Sequence, residues 1–218
     1  MLRKSLARNA FALMACGLLI GCGGGGTASA PSASDAAIQA ARYVDDDPPS
    51  VTLFTVVNNR TGAGAHSGLL INGSERVLFD PAGSFYHPRL PERGDMHHGM
   101  SDRMVAFYID YHARETYRVI EQTVPVSPGV AELVLARARA RGAVAKSFCA
   151  NSISGILRDV PGFETIGSTM FPNRLSADFA QLPGVTTRTI TDDDADDNHG
   201  VLLIDPVKEE PTITVANH

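Results

Sequence analysis

Three residues whose types work together in acyl transfer stand well apart in this chain: His66 in TGAGAHSGLLI, Asp80 in RVLFDP and Cys149 in AKSFCANSISG. A cysteine attacks an acyl carbon as its thiolate. It therefore needs a base within hydrogen-bond reach, and the base needs a third group to hold its tautomer. Cys149 falls at the predicted start of a helix, among the polar residues Ser147, Asn151 and Ser152. Unsatisfied N–H groups and the helix dipole favour a thiolate there. His66 opens a predicted strand, and Asn72-Gly73 supplies a tight turn before the return strand that ends at Asp80-Pro81. A two-residue turn there pairs positions whose numbers sum to about 145 or 146, setting Asp80 opposite His66 to within a residue. The constellation reads as Cys149 nucleophile, His66 general base and Asp80 orienting group. His87, in the following loop, is the alternative third group.

The elements that must position these residues alternate strand and helix signals. Strands are predicted over 51–58, 66–71, 76–80, 116–124, 185–190 and 199–204, with a further one at 212–215. Helical patterns run from Met100 to Ala113, with Ser101 as cap and Met104, Phe107, Tyr108 and Tyr111 on one face, and from Ser127 to Gly142. Shorter helices are expected over 147–158 and 172–182, and around Asp35 to Tyr43. Strands early and late with helices between give an α+β fold, an antiparallel sheet packed against helices.

The first 21 residues, MLRKSLARNAFALMACGLLIG, have a basic start and an apolar run too short for a convincing membrane span. Leu19-Ile20-Gly21-Cys22 resembles the bacterial lipobox, which implies cleavage before Cys22, its lipidation, and an anchored protein in the cell envelope. Gly23 after the cysteine points to the outer membrane, facing the periplasm. Without the leader, which holds Arg3, Lys4 and Arg8 and no acid, the formal charge falls from -5 to about -8. Such a surface argues against nucleic acid as a partner. With Cys16 in the leader and Cys22 lipidated, Cys149 is left without a disulfide partner. Residues 22–50 read as lipidated Cys and flexible tether, 51–207 as one domain, and 208–218 as a tail.

The stretch HSGLLINGSERVLFDP resembles the histidine hairpin of the NlpC-type, papain-like cysteine hydrolases. Here the hairpin precedes the cysteine helix. That order is similar to the circularly permuted branch that includes lecithin:retinol acyltransferase-like proteins. The resemblance covers residues 66–81 and 146–158. It implies a permuted papain-like fold and thioester chemistry at Cys149 with His66 as base. Phe148 stands where the acyltransferase branch usually has Asn, and Asp80 where it often has a second His. The expected activity is an amidase or peptidase, a thiol hydrolase acting on peptidoglycan peptide, or an acyltransferase using an acyl-bearing lipid. No cofactor is called for. A non-catalytic envelope lipoprotein that binds or assembles is the alternative.

Other clusters read as structural. GDMHHGM, with Met96, His97, His98 and Met100, has a copper-like donor set but is expected to be a solvated loop. TDDDADDNHG lacks the glycine placement of a calcium loop and reads as a solvated turn. The ARARAR run splits Arg137 and Arg141 from Arg139 around a helix and reads as a soluble face.

Overall fold

The structure is a computed structural model that describes residues 32–197 and the backbone of 214–216. Among the described residues eight strands form one antiparallel sheet: β1 (Ser50–Asn58), β2 (Gly64–Asn72), β3 (Arg76–Phe79), β4 (Glu92–Arg93), β5 (Met96–His98), β6 (Tyr117–Pro125), β7 (Thr186–Thr191) and β8 (Thr214–Ala216). Their spatial order is β4-β5-β3-β2-β1-β6-β7-β8. The helices are α1 (Asp35–Ala41), α2 (Asp102–His112), α3 (Pro128–Arg141), α4 (Cys149–Leu157) and α5 (Pro172–Phe179). The expected α+β class and antiparallel sheet are what the chain forms. The expected strand over 199–204 lies outside the described residues.

Helices cover both faces of the sheet, so its central strand is apolar on both sides. Residues 51–57 of β1 are all buried. On one face Val51, Leu53, Leu69, Ile71 and Phe79 pack under α3, α4 and α5. On the other, Phe54, Leu70 and Leu78 meet Phe107, Tyr108 and Ile109 of α2. Period-two alternation thus sends the odd residues of β2 toward α4 and the even ones toward α2. Helix starts follow the serines. Ser101 Oγ accepts from the Met104 N–H at 3.4 Å, and Ser127 Oγ from the Val130 N–H at 3.3 Å.

Three sequence expectations change. The hairpin loop is three residues long, not two: Leu69 pairs with Phe79 and Asn72 with Arg76, a sum of 148. Tertiary bonds hold this wider loop, because the Ser74 N–H donates to Glu132 of α3 at 2.6 Å and Arg42 donates to the Ser74 carbonyl. GDMHHGM is not a solvated loop. Residues 96–98 form β5, pairing Val77 with His98 and Phe79 with Met96. Met96 enters one core and Met100 the other, so the four side chains do not converge as ligands. Residues 32–50, read as tether, dock on the domain. The Ala33 N–H donates to the Glu92 carbonyl at 2.8 Å, and Asp45 pairs with the buried Arg76. Among the described residues no helix is long and apolar enough to cross a membrane.

Candidate active site

The site forms where β3 stops. Pro81 has no N–H to continue a ladder, and Ala82 turns the chain away at φ 58°. The last β3 pairing to β2 is Leu69 with Phe79. Beyond it, the neighbouring edge of β2 is left to α4, whose first residue is Cys149. A bulge shapes the same stretch: Val56 pairs with His66 but Val57 with Gly64, so Ala65 is extra. Bulges re-aim side chains. This one sits directly before His66.

His66 Nε2 lies 2.6 Å from Asp80 Oδ1, and the same oxygen accepts from the Tyr108 hydroxyl at 2.9 Å. With Nε2 committed to Asp80, Nδ1 is the nitrogen left for the thiol. The Cys149 sulfur lies where the His66 side chain and the backbone N–H groups of Ser67 and Ala150 all act to favour its ionised form. The chain Tyr108–Asp80–His66–Cys149 therefore links α2, the end of β3, β2 and α4. All three residues predicted to act together do come together. His87, the alternative third group, does not join them: its Nδ1 accepts from the Arg89 N–H at 3.2 Å, and its ring lies 5.9 Å from that of Phe107.

Electrostatics set the protonation states. Burial disfavours the charged form of His66, but the charge and hydrogen bond of Asp80, followed by Cys149, raise its pKa to about 10. Burial likewise opposes the Asp80 charge. His66, then His112 and His97, outweigh it and hold the carboxyl well below the usual carboxylate range. Burial pushes the Cys149 thiol up, while His66 and the two backbone N–H groups bring it down by more, so the net shift is downward. Burial first and the Asp80 charge second keep Tyr108 a neutral donor, well above the ordinary phenol range. The net shifts of Cys149, His66 and Asp80 all act toward a thiolate and an imidazolium beside an ionised carboxylate.

Several contributors were not singled out from sequence. Tyr108 was read only as a core position, although a buried tyrosine hydroxyl needs a partner and so signals a polar neighbour. His112, one turn on, stacks on His66 with ring centroids 5.6 Å apart and planes 11° apart. Its Nδ1–H donates to the Tyr108 carbonyl at 2.9 Å, and burial lowers its pKa to about 4, against the pull of Asp80. Both histidines line a cavity of about 430 Å3 together with Ala82, Gly83 and Tyr111.

Two glycines make the approach of these groups fit. A Cβ on Gly68 would overlap the Tyr108 hydroxyl, and one on Gly83 would overlap the Asp80 carboxylate. Gly68→Ala should therefore drive Tyr108 off Asp80. Overpacking of this kind costs about 1–3 kcal/mol. A lowered melting temperature together with a several-fold slower alkylation of Cys149 at pH 6 is expected. Unchanged alkylation would show that Tyr108 does not position Asp80.

The acidic segment at 191–197 is not simply solvated. Asp194 meets Arg114 at 3.1 Å, and Asp110 lies 3.5 Å from the same guanidinium. Asp110, Asp192 and Asp194 cluster closely, but Arg114 already supplies the cation between two of them. In the ARARAR run, Arg137 donates to the Ile156 and Arg158 carbonyls and so closes the C-terminal end of α4.

No protein-family model, curated protein or solved structure matches the chain.

Proposed function

We propose that this protein is a cysteine-dependent acyl hydrolase or acyltransferase with Cys149 as nucleophile, His66 as general acid and base, and Asp80 as the group that fixes and charges His66. The observation that carries this reading is the continuous contact from Asp80 through His66 to a thiol at the first residue of a helix. The Cys149 thiolate attacks an acyl carbon and forms a C–S bond. The carbonyl electrons move to oxygen, where backbone N–H groups of the first turn of α4 stabilise the charge; Phe148 provides no side-chain cap to compete for them. When the tetrahedral species collapses, the bond to the leaving amine or alkoxide breaks and that group takes the His66 proton. Water or another acceptor then gives a proton to His66 and attacks the thioester, and the thiolate returns.

The permuted papain-like architecture is part of this proposal, supported by the order of hairpin and cysteine helix. So is the location, a lipid anchor at Cys22 in the bacterial envelope. There the amide of a peptidoglycan peptide and the acyl group of a lipid are the two candidate substrate classes.

Capture of the thioester tests the reading. The full chain mixed with p-nitrophenyl acetate and quenched in acid should gain one acetyl mass, located on Cys149, and Cys149→Ala should gain none. Absence of the adduct from the wild-type protein, or the same adduct in Cys149→Ala, would overturn the proposal.

A further inference from the structure

We infer that His66, Asp80 and His112 form a binding site for a divalent transition ion of the zinc type, and that its occupancy silences Cys149. The silencing rests on the function proposed above; the binding does not.

One ligand atom from each of the three residues lies within 4.8 Å of the others. Two features point these groups at a ligand beyond the catalytic chain. The first is a lone pair. The Tyr108 carbonyl can only accept, so His112 must carry its proton on Nδ1, and Nε2 is left bare. The second is an orphaned oxygen. Asp80 Oδ1 serves both His66 and Tyr108, while Oδ2 is buried with no hydrogen-bond partner in a residue only 2 % exposed. Buried carboxylate oxygens seldom go unpaired in native proteins.

Two imidazoles and one carboxylate are a zinc donor set with a fourth position open. Harder ions such as magnesium and calcium call for oxygen-rich sites instead. The cavity of about 430 Å3 that both histidines line leaves room for a water or small anion in the fourth position. Tetrahedral zinc with bonds of roughly 2.0–2.1 Å holds its ligands roughly 3.4 Å apart. From a spread of 4.8 Å no pair need close by more than roughly 1.4 Å to reach that separation, while the 2.6 Å contact of His66 Nε2 with Asp80 Oδ1 must open to admit the ion.

The proton balance links binding to inhibition. His66 gives its Nε2 proton to solvent as the metal takes that lone pair. The remaining proton sits on Nδ1, facing Cys149. His66 then has no lone pair with which to accept a proton and cannot serve as general base, while the ion's own charge stands in for that of the displaced proton. Metal binding should also weaken as the pH falls, because protons compete for the same nitrogen.

Zinc titration of the full chain by calorimetry tests the inference, with turnover of p-nitrophenyl acetate as the second readout. One Zn2+ is expected per chain. Cys149→Ala should bind it within about threefold of wild type, whereas His112→Gln, close to the ring in size, should bind roughly 10–100-fold more weakly. A matching melting temperature for His112→Gln separates ligand loss from misfolding. Saturating Zn2+ should lower that turnover at least tenfold in the wild type, and the same concentration should have little effect on the turnover of His112→Gln. Binding lost in Cys149→Ala but kept in His112→Gln would place the ion on the thiol and overturn the inference, as would no binding at all. Zinc binding with no thioester capture would leave this site standing and remove the catalytic reading.

Discussion

His66→Ala is expected to slow iodoacetamide labelling of Cys149 at pH 6 by roughly thirtyfold, and to abolish turnover. The two effects differ in origin. An ordinary thiol with a pKa of about 8.5 is thiolate in only about 0.3 % of molecules at pH 6, against nearly all of them in a complete ion pair. That ratio of roughly 300 is offset about tenfold, because a low-pKa thiolate is intrinsically less nucleophilic. Labelling of the wild type should therefore depend weakly on pH from mildly acidic conditions upward. Labelling of His66→Ala should climb about tenfold per pH unit until the ordinary thiol range is reached. Turnover needs more than a thiolate, since the leaving group must also be protonated, and His66 is the side chain that acts on the sulfur most strongly. Identical labelling profiles for the two proteins would mean that His66 does not govern the thiol.

The parts of this site that were legible in the sequence were those governed by local rules. Ser101 and Ser127 announced their helices because a hydroxyl in front of an apolar period meets the bare N–H groups of a first turn. Asp80-Pro81 announced the end of β3 because proline cannot donate to a ladder. The register shows how a wrong detail can leave a right neighbourhood. The turn is one residue longer than Asn72-Gly73 would dictate, which moves the pairing sum from the expected 145 or 146 to 148. Relative to 146 the shift is even, so Asp80 keeps the face of His66 and reaches it along the strand direction rather than straight across. A sum of 145 would have turned it to the other face.

What was not legible depended on contacts between distant elements. Strands β4 and β5 are two and three residues long, and they lie among Pro91, Gly94 and Gly99. Only the unpaired edge of β3 makes them strands. His98 is buried there against Glu75 at 3.3 Å, a residue of the hairpin loop that no local pattern ties to it. The role of His112 was hidden for a related reason. Helical periodicity assigns a residue to a face, but the stacking on His66 depends on how α2 crosses the even-numbered face of β2. The space left by Gly68 is the clearest sign, since it has meaning only once Tyr108 is known to enter it.

Asp80→Asn should lower turnover on the order of ten-thousandfold, a magnitude typical of removing the carboxylate of a catalytic triad while keeping its shape. The amide carries no charge, so the strongest influence raising the His66 pKa from its ordinary value toward 10 disappears, and burial then drives that pKa below the ordinary range. Tyr108 and His66 share Oδ1, so an amide oxygen in that place keeps both hydrogen bonds, and the NH2 takes the place of the buried Oδ2, which has no partner there; what the variant loses is the charge. The pH–turnover profile should narrow from both sides, its acid limb rising as Cys149 loses its counter-ion and its alkaline limb falling away from pH 10. Stability supplies a second signature. The depressed Asp80 contributes stability above its unfolded pKa of about 3.9, and this is lost as the pH falls; the raised His66 contributes stability below its unfolded pKa of about 6.5, and this is lost as the pH rises through about 10. The melting-temperature gap between wild type and variant should thus be widest between about pH 4 and 6.5 and should close toward pH 10. A turnover deficit with an unshifted pH profile and a pH-independent melting gap would reduce Asp80 to a packing role and return the third position of the triad to another group.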